Sequence, residues 1–465
     1  MTADSVLASE ARHDLMTKTP IPRLIRVMTI PPVIGMLVTA IFNLADTFFV
    51  SKIGTSAAAA VGIIFSLMAV VQAIGSALGL GAGLNISRLL GRGERESAHR
   101  FASIAFFGGL AAGVLFIILG TYFLEELALG LGATPTILPY AKDYAQFILF
   151  GTPFMISSFV LNHILRSQGN SFQAMVGISV GAILNIVLDP LFIFVFGWGI
   201  AGAAIATIIG QIISFFLLLI LIARAPDGAR VALRFFRPSR QILSLIISNG
   251  LPTCYRQLLA SLSIAIINNC AKPYGDTAIA ALSIAVRICQ FLLSATLGFG
   301  QGFMPVCGFN YGAGKYGRVR ESFFFCLKLA VILHIVVGAL VFLFAPALMG
   351  LFRREDWEVI RIGALCLRLQ AVVLPLQACT IMCSMLLQAL GKAWQASVMA
   401  LSRQGIFLIP ILLILPAFLG LFGVQCAQAL SDVFSACLTV FLIAPVLREI
   451  RRKCLTESGL SAPSP

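Results

Sequence analysis

The sequence predicts an all-α polytopic membrane protein, with about twelve transmembrane helices arranged as two parallel six-helix lobes. Three observations support this prediction. Apolar residues make up 59% of the chain and charged residues only 11%, whereas about a quarter of the residues in soluble domains are charged. The apolar residues fall into runs close to the ~20 residues that a helix needs to span a bilayer. Finally, the two halves of the chain repeat each other.

The apolar runs give the individual helices. Each is long enough for a spanning helix, and the alternation of polar and apolar residues that is typical of membrane barrel strands is missing from the sequence. The runs cover residues 26–50, 59–87, 101–123, 140–164, 172–196, 201–223, 242–270, 277–306, 323–349, 360–387, 396–417 and 424–446.

The internal repeat relates the first six runs to the last six. The stretch "KIGTSAAAAVGI" at 52–63 matches "PYGDTAIAALSI" at 273–284, which is an offset of 221 residues from 52 to 273. Six helices per half make both halves cross the membrane in the same direction, so the pseudo-two-fold axis lies along the membrane normal. Such repeats are typical of transporters. The same offset relates Gly79 to Gly300, Gly81 to Gly302, Gly91 to Gly312, Gly93 to Gly314, Gly199 to Gly420 and Gly202 to Gly423.

The basic residues predict the orientation. Most of the 33 lysines and arginines lie in one set of loops, and such loops face the cytoplasm. The opposite loops and adjoining helix ends hold only Lys52, Lys142, Lys272, Arg353, Arg354 and Arg361. The net charge of +14 therefore reflects topology, and we expect no nucleic-acid partner.

The same pattern predicts a protein of the inner (plasma) membrane whose chain has five parts. We expect a cytoplasmic N-terminal tail at 1–25, polar before Pro22, and a cytoplasmic C-terminal tail at 447–465. Between them lie an N-lobe at 26–223, a cytoplasmic connector at 224–241 and a C-lobe at 242–446.

Three carboxylates interrupt the apolar runs: Asp46, Asp189 and Asp432. An aspartate at mid-bilayer costs about 2.5–3.5 kcal/mol on insertion scales, so such residues face a polar interior. Asn43 precedes Asp46 by three residues and Asn185 precedes Asp189 by four, so each amide shares a helix face with its acid. Thr207 and Tyr144 can supply hydroxyl groups nearby.

A buried pair of carboxyl groups can perform ion coupling. Such a pair takes up a proton near neutral pH, or binds Na⁺ through the oxygens of Asp46, Asn185 and Asp189. The alternative is structural: Asp189 caps a helix broken at Pro190, and Asp46 pairs with a basic residue. The N-lobe runs contain no clear basic partner, which favours coupling.

Polar residues of the C-lobe indicate where a substrate would bind. We expect Gln257, Gln290, Gln370, Gln377 and Arg256 to line a substrate cavity through amide and apolar contacts. The arginines either hold anionic substrate groups or pair with Asp432 and with backbone carbonyl groups.

Several classes of site find no support in the sequence. The eleven cysteines all follow residue 250 and form no metal-binding or disulfide pattern. "GLGAG" (79–83) and "GFNYGAGKY" (308–316) lack the context and spacing of nucleotide-binding loops. The four histidines (His13, His99, His163 and His334) are scattered. We therefore expect neither an enzyme nor a cofactor, and transport driven by an ion gradient.

Four stretches together resemble one known family: "FNLADTFFVSKIGTSAAAAVGI" (42–63), "LNIVLDP" (184–190), "GIAGAAIAT" (199–207) and "GFGQGFMPVCGFNYGAGKYGRVRES" (298–322). They resemble the multidrug and toxic compound extrusion (MATE) family, over about 23–452. The resemblance implies a V-shaped pair of lobes that exports drugs in exchange for protons or sodium. Its proton-coupled pattern maps onto Asp46, Asn185, Asp189 and Thr207, with Tyr144 beside them.

The resemblance has one departure. Another branch of the family places acids on the seventh and tenth helices, whereas 242–270 and 360–387 contain none here. We therefore expect a secondary antiporter that works as a monomer and exports amphipathic, often cationic compounds, coupled to H⁺ or Na⁺ in the N-lobe. The alternatives are a lipid-linked oligosaccharide flippase of the same superfamily and a membrane-embedded enzyme.

Overall fold

The computed structural model describes residues 3–225, 228–352 and 356–457. Arg353 and Arg354, used above for the orientation, lie outside these residues, as do 226–227 of the connector and both chain ends. The helices are α1 (Ala3–Lys18), α2 (Ile21–Ser51), α3 (Thr55–Gly91), α4 (Arg95–Tyr122), α5 (Leu124–Gly130), α6 (Leu138–Ser167), α7 (Ser171–Pro190), α8 (Gly199–Arg224), α9 (Arg240–Ala271), α10 (Asp276–Gly312), α11 (Tyr316–Gly350), α12 (Trp357–Ala389), α13 (Ala393–Leu401), α14 (Leu408–Leu419) and α15 (Leu421–Glu457).

The predicted helical membrane fold is confirmed. Within the described residues there is no strand, and eleven helical segments are long and apolar enough to cross a bilayer. The one predicted span that is not among these eleven segments, 242–270, lies within the 32-residue α9. That helix carries Asn249, Arg256 and Asn268, which explains why length and composition alone do not single it out. Twelve long helical segments are therefore present in the part of the chain that the structure describes.

The fifth span of each lobe contains a π-helical segment. Leu191–Val195 continues α7, and Ser402–Ile406 joins α13 to α14. The amide of Phe196 donates to the carbonyl of Leu191 at 2.9 Å, five residues back. Pro190 lacks an N–H and cannot keep the α-helical ladder intact at this point. The helix therefore widens directly after Asp189.

Each half packs around its fourth spanning helix. In the N-lobe, α3, α4 and α8 pack against α6, while in the C-lobe α10, α11 and α15 pack against α12. These two central helices are the most buried of the candidate spans. The lobes meet where α2 packs on α10 and where α3 packs on α9 and α10.

The contact between α3 and α10 is reciprocal. A Cβ atom at Gly91 would overlap the carbonyl oxygen of Phe309, and one at Gly312 would overlap the carbonyl oxygen of Arg88. The 221-residue offset relates Gly91 to Gly312 and Arg88 to Phe309, so the two contacts are equivalent in the repeat. The pseudo-two-fold axis therefore passes between these helices, and small residues let their backbones touch there.

The N-terminal segment differs from the expected polar tail. It contains α1, and its Met16 is fully buried in a core cluster that α2 and α3 form with helices of the C-lobe. Arg318 donates to the carbonyl oxygens of Met16 at 3.3 Å and Thr19 at 2.6 Å, and Asn310 donates to Met16 at 3.1 Å. The segment is polar on average and its few apolar residues form no membrane-length run, so the sequence gave no signal for this docking.

Candidate functional site

Two helices bring the acids of the N-lobe together. Asp46 lies near the end of α2 and is 3% exposed, while Asp189 lies near the end of α7 and is fully buried. The two helices pack side by side, and the carboxyl groups are close enough for their charges to interact. Burial of two acids in one place is costly unless at least one is neutral or an ion lies between them.

Asn185 connects Asp189 to the neighbouring helix α8. With its amide nitrogen turned to the acid, it donates to Asp189 Oδ2 at 3.0 Å. Its oxygen then accepts from the hydroxyl of Thr207 at 3.1 Å and from the Thr207 backbone amide at 3.0 Å. This orientation satisfies both ends of the amide, whereas the reverse would place the amide oxygen against a carboxylate. Thr207 thus fixes the amide that orients the acid.

Tyr144 closes the site from α6. Its side chain is fully buried, and its hydroxyl lies within electrostatic range of both Asp46 and Asp189. Asp46 Oδ1 has no hydrogen-bond partner among the described residues. Buried polar atoms are almost always paired, so a water, proton or cation would complete this site.

Ion pairing does not explain the two acids. Every ion pair found within the described ranges lies elsewhere, and none involves Asp46 or Asp189. No group of three His, Cys, Asp or Glu side chains suited to a metal occurs in the same part of the chain. Asn43 is half-buried, and its side chain makes no hydrogen bond to this group among the residues described. Of the predicted residues, the structure thus brings together Asp46, Tyr144, Asn185, Asp189 and Thr207.

The acid of the C-lobe has a different environment. Asp432 on α15 is 1% exposed, and its Oδ1 accepts from Arg403 Nε at 2.5 Å. The backbone carbonyl of Arg403, within the π-helical segment, accepts from the hydroxyl of Ser431. Of the two roles considered for the C-lobe arginines, pairing with Asp432 is thus found for Arg403.

The predicted substrate residues separate into two groups. Gln290, Gln370 and Gln377 line a cavity in the C-lobe, whereas Gln257 and Arg256 are not among its lining residues. Gln404, Gln425 and Gln428 also line it and were missed. The three-residue spacing of Gln425 and Gln428 on one helix face was an available signal.

The C-lobe ion pair gives a stability prediction. We expect Asp432→Asn alone to lower the free energy of unfolding by about 3–5 kcal/mol, because Arg403 would keep a buried charge without a counter-ion. The double variant Arg403→Gln/Asp432→Asn should lose much less, since both charges are removed. Thermal unfolding of purified protein in detergent measures both, and a single variant as stable as the wild type would contradict this.

The comparisons with known proteins agree with this architecture. The MatE family model matches residues 31–191 and 252–414, once in each lobe. The multidrug export protein MepA of Staphylococcus aureus strain NCTC 8325 is 28% identical over 433 residues, covering 93% of this chain and 95% of that protein. MepA of Staphylococcus saprophyticus is 28% identical over 422 residues, covering 90% and 93%.

Solved structures of MATE transporters have a similar fold. The outward-facing conformation of a multidrug resistance MATE family transporter of the MOP superfamily matches with a TM-score of 0.88 and 28% identity, covering 94% of this chain and 98% of that one. A MATE crystal structure in complex with MaL6 matches with a TM-score of 0.89 and 27% identity, covering 95% and 99%. The similarity thus extends over nearly the whole chain.

Proposed function

This chain belongs to the MatE family of multidrug transporters, and from that premise we propose that it is a secondary antiporter that exports amphipathic organic compounds in exchange for protons bound at Asp46 and Asp189. The observation that carries the proposal is the buried pair of acids without a basic partner. The relatives are multidrug export proteins and not enzymes, which also favours export of drugs over flipping of lipid-linked sugars.

The acid pair supports coupling because its protonation changes which conformation of the N-lobe is favoured. Two adjacent carboxylates without counter-ions repel each other in a low dielectric, so the doubly ionised state favours a shape that separates or hydrates them. Protonation removes the repulsion and permits close packing of α2 and α7. One charge crossing 100 mV supplies about 2.3 kcal/mol, which sustains roughly a 45-fold gradient of a neutral substrate.

The lobe contacts support a specific conformation. The α3–α10 crossing joins the lobes at the C-terminal ends of both helices, directly before the loops at 92–94 and 313–315. If those loops are cytoplasmic, this structure is closed to the cytoplasm. It would correspond to the outward-facing stage of an alternating-access cycle carried out by a monomer in the plasma membrane.

The orientation is tested by cysteine labelling. With the native cysteines replaced, a cysteine at Thr134 should react with an impermeant maleimide added outside intact cells, while one at Ser239 should be protected. Both positions are exposed, so accessibility differs only by the side of the membrane. Labelling of residue 239 with protection of residue 134 would reverse the topology.

The coupling ion is tested by transport in proteoliposomes. An imposed proton gradient should drive uptake of a fluorescent amphipathic dye in the export direction, without sodium on either side. Addition of sodium should leave the rate unchanged. A sodium gradient that drives transport at uniform pH would instead assign Asp46, Asn185 and Asp189 to a sodium site.

A further inference from the structure

The C-lobe contains a cavity that is partly open to solvent. The space that it encloses, together with that open solvent, is about 680 Å³. Helices α9, α10, α12 and α15 form its walls, together with the π-helical segment that carries Arg403. Apolar residues such as Ile267, Leu282 and Val286 cover much of the lining, which suits the body of an amphipathic compound.

The charged part of the lining is positive. Arg403 lines the cavity, whereas Asp432, its partner, does not. Arg256 on α9 lies close enough to Arg403 to repel it electrostatically. Arg403 pairs with Asp432, Arg256 takes part in none of the ion pairs found within the described ranges, and no carboxylate belongs to the lining residues. A negative ligand group would balance this local charge, whereas a cationic group would add to it.

The hydrogen-bond geometry leaves Arg403 able to bind a ligand. Of its five N–H groups, that on Nε is taken by Asp432. With its amide oxygen turned to the arginine, Gln377 accepts from both terminal nitrogens. Each terminal nitrogen carries two N–H groups, so donors remain for a carboxylate, whose two oxygens match the planar guanidinium.

A second unpaired donor lies in the same cavity. Gln370 is 5% exposed and lines the cavity, yet its Nε2 has no hydrogen-bond partner in the described part of the chain. Gln404 Oε1 is likewise a buried acceptor without a partner. Unpaired buried amide atoms are costly, and a ligand with its own polar groups would satisfy them.

We propose that the C-lobe cavity is a binding site for amphipathic compounds that carry a carboxylate, held by Arg403 and by the free amide of Gln370. The apolar body of the ligand packs against α9 and α10. This inference rests on the proposed export function, because it names the class of substrate that enters the C-lobe. It extends the substrate range from cationic compounds to anions and zwitterions.

A matched set of dansyl probes tests the proposal by equilibrium binding. Dansyl-leucine carries a carboxylate, dansyl-leucinamide is its neutral analogue, and dansylcadaverine is a cation. Fluorescence titration of purified protein in detergent, corrected with empty micelles, should show dansyl-leucine binding at least about tenfold more tightly than the other two, as expected for one retained ionic hydrogen-bond pair.

Two variants locate the site. In Arg403→Gln/Asp432→Asn the preference for dansyl-leucine over dansyl-leucinamide should vanish, with the affinity for the amide unchanged. This variant removes the charges together and so avoids a buried unpaired carboxylate. Ala260 lines the cavity, and Ala260→Trp should fill it and weaken binding of both probes. Thermal unfolding of each variant confirms that it is folded.

Three outcomes would overturn the proposal. These are equal binding of the three probes by the wild type, an unchanged carboxylate preference in the double variant, or unchanged binding in Ala260→Trp. Because binding is measured without a gradient, its failure leaves proton-driven export of cationic dyes untouched. Conversely, loss of coupled export with intact dansyl-leucine binding would contradict the proposed antiport alone.

Discussion

Asp189→Asn is expected to reduce proton-driven efflux to the level of empty liposomes, although the protein folds and inserts. Asparagine keeps the size of the side chain and can still pair with Asn185, but it cannot ionise. It therefore resembles a permanently protonated acid, and the switch between two charge states is lost. Dye transport in proteoliposomes, normalised to the inserted protein, measures the effect.

Three companion variants separate coupling from structure. Asp189→Glu should keep partial activity with a shifted pH profile, because it titrates but displaces its carboxyl group from Asn185. Asp46→Asn should match Asp189→Asn, and the double variant should lose nothing further if both acids act as one coupled pair. Asp143→Asn, at an exposed position next to Tyr144, should behave like the wild type. Wild-type transport by Asp189→Asn would restore the helix-cap interpretation.

Gly312→Leu is expected to destabilise the contact between the two lobes. Its Cβ would overlap the carbonyl oxygen of Arg88, and backbone cannot move aside as a flexible side chain can. The two helices must separate, which costs about 3 kcal/mol, at the upper end of the overpacking range. Gly91→Leu should cost a similar amount, since its Cβ meets the carbonyl oxygen of Phe309 in the symmetric position.

A control variant on α3 separates the effect of the α3–α10 contact from the effect of adding a leucine to a helix. A Cβ at Gly62 of α3 meets nothing within 4 Å, so Gly62→Leu should be close to neutral. The double variant Gly91→Leu/Gly312→Leu should lose less than the sum of the single losses, because one separation relieves both overlaps. Thermal unfolding measures stability. Equal stability of Gly312→Leu and Gly62→Leu would show that the lobes do not depend on this crossing.

The sequence was sufficient to predict the helices and the repeat, because both leave periodic patterns. The glycines with positive φ follow the repeat: Gly93 (φ +80°) corresponds to Gly314 (φ +75°), and Gly199 (φ +55°) to Gly420 (φ +59°). Each ends or begins a helix in a conformation that residues with a Cβ avoid. Turns were therefore foreseeable from glycine positions alone.

The grouping of the N-lobe site was only partly foreseeable. The four-residue spacing predicts that Asn185 and Asp189 share a face, and the structure places them so. That Thr207 orients Asn185, and that Tyr144 faces both acids, depends on the packing of α6 and α8 against α7. Such contacts between distant segments leave no trace in local spacing.

The C-lobe was less foreseeable still. Arg403 and Asp432 are 29 residues apart, and their pairing was one of two roles that the sequence allowed. The π-helical segment that positions Arg403 contains Gly405 but has no recognisable start signal. Likewise, α1 docks through Met16 and backbone carbonyl groups, which polar composition does not indicate.

Substrate-induced proton release is the most direct test of the coupling role of Asp46 and Asp189. Purified wild-type protein in weakly buffered detergent solution should release protons when a cationic dye is added, as the carboxyl pair ionises on the change of conformation. The variant Asp46→Asn/Asp189→Asn should bind the dye and release none. Equal proton release by the wild type and this double variant would contradict the account.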